Sequence, residues 1–122
     1  NENAAYRLAA ITDQDVLLEI YLPRYSIDTL QLSRFANERG ATVLAITDSP
    51  ASPLSSIARH VLFAPADHPV LTSSSIAVLA LIEGLVAGVM ARNKEAVKLA
   101  TELTESVMSY LHIPVGSKLP KK

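Results

Sequence analysis

VLLEIYLPRYSIDTLQLSRFANERGATVLAIT, residues 16–47, changes its hydrophobic period twice. Val16 to Leu22 is a short apolar run containing Val, Ile and Tyr, bounded by the polar Thr12–Asp15 and by Pro23. That pattern predicts a buried strand of the parallel type, in which both faces are covered. From Ser26 to Arg39 the period becomes helical: Leu32, Phe35 and Ala36 fall on one side. Ser26 suits the N-cap, and Asp28 in the first turn suits the helix dipole. Gly40 suits the C′ position. Thr42 to Thr47 then reads as a second strand. Strand, helix and strand in 32 residues make a β-α-β unit, which requires a parallel pair.

Working outward, the same alternation continues. Asp48–Pro53 (DSPASP) is a loop, Pro53–Ala58 a short helix with Ser52 as cap, and His60–Ala64 a third strand. Before the unit, Asn3–Ile11 reads as a short helix with Ala4, Ala5, Leu8 and Ala9 on one face. After it, Pro65–Thr72 is a loop, and Ser73-Ser74-Ser75 open a long apolar helix to about Arg92. Asn93 breaks or caps that helix, and Lys94–Leu111 forms a final amphipathic one. The expected fold is α/β, a doubly wound parallel sheet with three strands in this chain. Three strands are few for such a sheet. Either further strands are missing from these residues or a partner covers the exposed edge. Residues 1–112 are read as one domain and residues 113–122, with two prolines, a glycine and lysines, as a flexible tail.

Composition narrows the function. With 122 residues, 49% of them apolar, one domain can build a real core. A net charge of −1 offers no basic field for nucleic acid. The absence of cysteine excludes disulfides and thiol chemistry. The polar amino end, beginning at Asn1, lacks the apolar region of a signal peptide. Ile76 to Ala91 is the longest apolar stretch, but Glu83 interrupts it and it is shorter than the roughly 18 residues of a membrane span. It reads as a fully buried helix or one at a subunit interface, and no membrane is expected as partner. Within it Gly84 and Gly88 make a G-x-x-x-G, which favours close packing inside the domain or across a dimer. His60, His68 and His112 are scattered without ligand-like neighbours, so no metal is expected. There is no Walker loop, no G-x-G-x-x-G and no G-x-S-x-G elbow, and no cofactor is expected.

An open parallel sheet binds ligands beyond the carboxyl ends of its strands. Here that rule selects the segment after the first strand (Arg24, Tyr25, Ser26), the segment after the second (Thr47, Asp48, Ser49, Ser52) and the serines after the third (Ser73, Ser74). Hydroxyls leading into helix amino termini suit an anion such as phosphate, and Arg24 could add a bidentate contact. The ordinary alternative stands beside this: Ser26, Ser52 and Ser73–Ser75 as plain helix caps, and Arg24 solvated.

Three pieces together resemble a known family: RYS opening a helix, ERGATVLAITD leading into and out of a strand, and SPASPL followed by a short strand. Over about Ala4 to Arg92 the chain is similar to the sugar isomerase (SIS) domain, in the form carried by RpiR-type bacterial transcription regulators. The resemblance implies a SIS-like sheet of five parallel strands with flavodoxin-like layering, a homodimer, a cytoplasmic protein and a phosphorylated sugar or sugar acid as ligand. It also implies that DNA is contacted only through a separate amino-terminal helix-turn-helix domain. The family's first strand and its Gly-x-Gly-x-Ser loop have no counterpart here, so the chain resembles the carboxyl-terminal part of such a domain. The family's second motif, Ser-x-Ser-Gly-x-Thr-x-Glu, aligns with Tyr21, Pro23, Arg24, Ser26 and Asp28. Ser26 replaces the threonine and Asp28 the glutamate, while both serines and the glycine are gone. Ser52 matches a position that contacts sugar in SIS enzymes.

Two functions follow. One is the effector-sensing domain of a regulator. The other is a sugar-phosphate isomerase or related SIS enzyme, which would need a general base from among Glu83, Asp28 and His68.

Overall fold

The computed structural model describes residues 2–111. Its elements run α1 (Glu2–Leu8), β1 (Val16–Tyr21), α2 (Ile27–Glu38), β2 (Thr42–Thr47), a single 3₁₀ turn (Pro53–Ser56), β3 (His60–Phe63), α3 (Ile76–Arg92) and α4 (Lys94–Leu111). The expected tail, residues 113–122, lies outside the described residues. The three strands form one open parallel sheet in the order β1-β2-β3. Val16 pairs with Thr42 and Tyr21 with Thr47, while Thr47 also pairs with Phe63, so the three strands end level.

The β-α-β unit closes as its residues require. Ser26 is extended (φ −69°, ψ 126°) and its side chain accepts from the Thr29 N–H. At the other end, Gly40 N–H donates to the Asn37 carbonyl at 3.0 Å and Ala41 N–H to the Ala36 carbonyl at 3.1 Å, the paired bonds of a Schellman motif. Gly40 takes φ 83°, and a Cβ there would also come within 3.1 Å of the Asp13 Cβ. Two requirements therefore select glycine at this one turn.

Small residues let α2 lie close on the sheet: Ser33 and Ala36 are fully buried against β1 and β2. Two apolar clusters result. One gathers Ile11, Ala36, Ala41 and Val43, with Leu8, Leu17 and Phe35 packed on it. The other gathers Tyr21, Ala45 and Leu54, with Tyr25, Leu30 and Val61. Alternation along β1 puts Leu17, Glu19 and Tyr21 on this covered side. Val16, Leu18 and Ile20 on the other side are 62%, 44% and 46% exposed. The expectation that β1 is covered on both faces is therefore not met within the described chain.

The chain divides into two units at Glu83 and Gly84. The first holds the sheet, α1, α2 and the start of α3. The second holds the remainder of α3 and α4. Asn93 caps α4 rather than merely ending α3: its Oδ1 accepts from the N–H groups of Glu95 at 3.1 Å and Ala96 at 3.2 Å. Of the two readings given to the apolar helix, full burial is not what is found. Val78 is its one buried residue, and Ile76, Leu79, Val86 and Val89 are exposed. Gly84 and Gly88 have no atom within 4 Å of where a Cβ would lie, so they pack against nothing among the described residues. No single described helix is long and apolar enough to cross a membrane.

Candidate functional site

The level ends of β1 and β2 place two loops side by side, and side chains tie them together. Tyr21, the last residue of β1, is buried, and the ring of Tyr25 stacks on it at 4.9 Å and 23°. The Tyr25 hydroxyl then reaches across and donates to Asp48 Oδ1 at 2.8 Å. Thr47 Oγ1, fully buried, donates to the Tyr21 carbonyl at 2.6 Å and lies 3.3 Å from the same Asp48 oxygen. Tyr21, Tyr25, Asp48 and Thr47 thus close a ring across the two strand ends. The hydrogen bond to Asp48 holds the Tyr25 phenol above its usual range, with burial and the Asp48 charge adding to the effect.

The backbone between Tyr21 and Tyr25 is strained to achieve this. Arg24 has φ 77°, the left-handed region, and is the one non-glycine residue with positive φ among those described. Side chains are disfavoured there by the clash of Cβ with the following carbonyl. The kink sends Tyr25 back over Tyr21 and leaves the Arg24 side chain exposed. Arg24 stands at the position that the motif resemblance aligns with glycine, and it takes the left-handed conformation that glycine favours.

The serines differ in what their hydroxyls have left to give. Ser26 Oγ accepts from Thr29 N–H at 3.4 Å, Ser49 Oγ from Ala51 N–H at 3.1 Å and Ser74 Oγ from Ile76 N–H at 3.4 Å. Each of these is an acceptor in its bond, so its own proton remains available to a ligand. Ser52 is 4% exposed, and its buried Oγ has no hydrogen-bond partner among the described residues. Leaving a buried hydroxyl unpaired costs about 1–3 kcal/mol, and a ligand acceptor would recover that.

The structure brings Tyr25, Thr47 and Asp48 into contact, with Ser49 and Ser52 on the same loop. Ser26 and Arg24 flank them on the β1 side. Ser73 and Ser74 are half-buried, and their segment is held by Ala64 N–H on the Thr47 carbonyl and Ser74 N–H on the Ala66 carbonyl, both at 2.8 Å. Among the described residues they share no hydrogen bond with the other two loops. Tyr21, which the sequence reading aligned with the motif without naming it as a ligand contact, is drawn into this arrangement by its ring stack with Tyr25. Its alternation along β1 reads as core, and only the ring stack gives it a second role. Among the described residues no group of three or more His, Asp or Glu is placed to hold a metal ion.

A second polar feature sits away from the cleft, between the two apolar clusters. Glu19 of β1 is 8% exposed and accepts from the Ser33 hydroxyl of α2. Burial raises its carboxyl from an ordinary 4.5 to about 7.

The profile of a protein family described as "SIS domain" matches residues 1–88. Among solved structures, the chain is similar to the sugar isomerase domain of an RpiR transcription factor from Sphaerobacter thermophilus, with a TM-score of 0.78 and 29% identity over 86% of this chain and 59% of that one. It is also similar to a hypothetical protein of known crystal structure, with a TM-score of 0.60 and 22% identity over 73% of this chain and 55% of that one. At that identity the second likeness bears on the fold alone. The chain thus spans less than two thirds of the length of both. No curated protein matches it.

Proposed function

The chain belongs to the SIS-domain family, and from that premise we propose that it is the effector-sensing domain of a bacterial transcriptional regulator. Its similarity to the sugar isomerase domain of an RpiR transcription factor supports a sugar-sensing regulatory domain in general. The finer reading is ours. The effector is a phosphorylated sugar or sugar acid held between the β1 and β2 loops by Arg24, Tyr25, Ser26, Asp48, Ser49 and Ser52. A separate helix-turn-helix domain reads the DNA, and the working unit is a cytoplasmic homodimer. The exposed apolar residues of α3 and α4, Leu103 and Tyr110 among them, support dimerisation by offering surface that water does not favour.

One observation carries the ligand reading: the buried Ser52 hydroxyl, without a hydrogen-bond partner among the described residues, on the loop that also carries Asp48. Sensing is favoured over turnover by the state of the candidate bases. His68 Nδ1 already accepts the N–H groups of Val70 and Leu71, at 3.0 and 2.7 Å, and Glu83 lies exposed on α3. Thermal melts of the intact protein against a panel of sugar phosphates and sugar acids test the reading. At least one compound raises the melting temperature of the wild type and does so less for Ser52→Ala. A panel without any shift refutes ligand binding, and isomerisation of a panel member by the wild type that Glu83→Gln abolishes would replace sensing by catalysis.

A further inference from the structure

We propose that Asp48 is the specificity residue of the cleft, accepting a hydrogen bond from a hydroxyl of the ligand, and that Tyr25 is the positioning residue that aims its carboxylate. The inference rests on the sensing reading above and narrows the ligand to a polyhydroxylated chain with its acidic group at the far end from Asp48.

The geometry supports each part. A carboxylate only accepts hydrogen bonds, and it has two oxygens with room for about four donors. The Tyr25 hydroxyl donates to Oδ1 at 2.8 Å, and Thr47 Oγ1, whose one proton goes to the Tyr21 carbonyl, lies 3.3 Å from the same oxygen. Among the described residues the second oxygen has no hydrogen-bond donor, so a donor from the ligand can meet it. Asp48 is half-buried, at the carboxyl end of β2, where a ligand of an open parallel sheet lies. Its charge opposes any anion placed against it. A ligand that meets Asp48 must therefore present a donor there and carry its acid elsewhere.

Tyr25 fixes the carboxylate before the ligand arrives. Its ring is held by buried Tyr21 and its hydroxyl is spent on Asp48, so little freedom remains to be lost on binding. The left-handed backbone at Arg24 makes this placement possible, and strain of that kind gathers where function requires it.

Calorimetric titration of the intact protein with glucose 6-phosphate, gluconate and inorganic phosphate separates the possibilities. The first two share the polyhydroxylated chain and differ in the acid, so they report which acid the site takes. Inorganic phosphate is the anion without the chain. In the wild type at least one polyhydroxylated acid binds more tightly than phosphate. Asp48→Asn lowers the ratio of the two affinities about tenfold, since a hydrogen bond to a charged acceptor is lost. In the same variant phosphate itself binds more tightly, because a like charge has gone. Misfolding cannot produce that opposed movement. Tyr25→Phe lowers the ratio less, leaving the charge in place but loosely held. Ratios unchanged in both variants overturn this inference and leave sensing intact. Failure of both polyhydroxylated acids to bind the wild type more tightly than phosphate overturns the inference, while the sensing reading stands or falls with the full panel above.

Discussion

At the scale of the residue, Arg24 and Glu19 each hold a conformation or a charge state that costs stability, and each cost can be measured. Arg24 at φ 77° should respond differently to two small substitutions. Arg24→Gly removes the Cβ clash and is expected to stabilise the fold by up to about 1 kcal/mol, read by chemical denaturation. Arg24→Ala keeps the clash and gains nothing. Both remove the guanidinium, and both should weaken binding of an anionic effector; unchanged binding would mean that the side chain only faces solvent. Glu19 is a matter of sign. Its folded-state carboxyl is raised to about 7 from 4.5, so between those values the folded chain holds a proton that the unfolded chain has lost. Stability is therefore fully present below about pH 4.5 and falls as pH rises toward 7. Glu19→Gln keeps an acceptor for Ser33 and removes the ionisation. Its denaturation midpoint should lie above the wild type's at pH 8 and lack the wild type's decline across that window.

At the scale of the element, the caps decide where helices begin and end. Asn93 holds two N–H groups of the first α4 turn, whereas Ser26 holds one of α2 at a long 3.4 Å. Asn93→Ala should cost about 1 kcal/mol locally, seen as faster amide exchange at Glu95 and Ala96; exchange rates equal to the wild type's would show the cap to be idle. Much of this level was readable in advance. β2 and α4 occupy the residues that their hydrophobic periods mark, and Gly40 sits where a C′ glycine was expected, because each of these is set by local chemistry. The first helix ends at Leu8 rather than Ile11, since Ile11 is taken into the core cluster beneath α2 instead of extending the helix. Burial of α3 could not be read from composition: an apolar helix and an uncovered one have the same sequence. Strand ends alone pick out the loops after β1 and β2, and the structure sets those two loops side by side. The Tyr25–Asp48 bond spans 23 residues and joins two loops whose separation no periodicity encodes, so the pairing emerges only in three dimensions.

At the scale of the whole molecule, the exposed apolar residues of α4 are the proposed contact with a second copy. The apolar residues of α4 recur at helical spacing, and Leu103 is 68% exposed. If a second copy covers them, Leu103→Glu places a charge in the interface and should shift sedimentation from dimer to monomer at micromolar concentration; wild-type protein sedimenting as a monomer would remove the dimer from the account. Regulation needs more than binding. An effector can shift a protein between two states only by as much as it prefers one of them, and couplings of this kind are commonly of the order of 5–150-fold in affinity. For the proposed regulator the decisive measurement is the affinity of the complete protein for operator DNA, with and without saturating phosphorylated sugars and sugar acids. The account predicts that at least one of them changes that affinity by about fivefold or more and that Ser52→Ala blunts the change. An operator affinity that no such compound moves would contradict it.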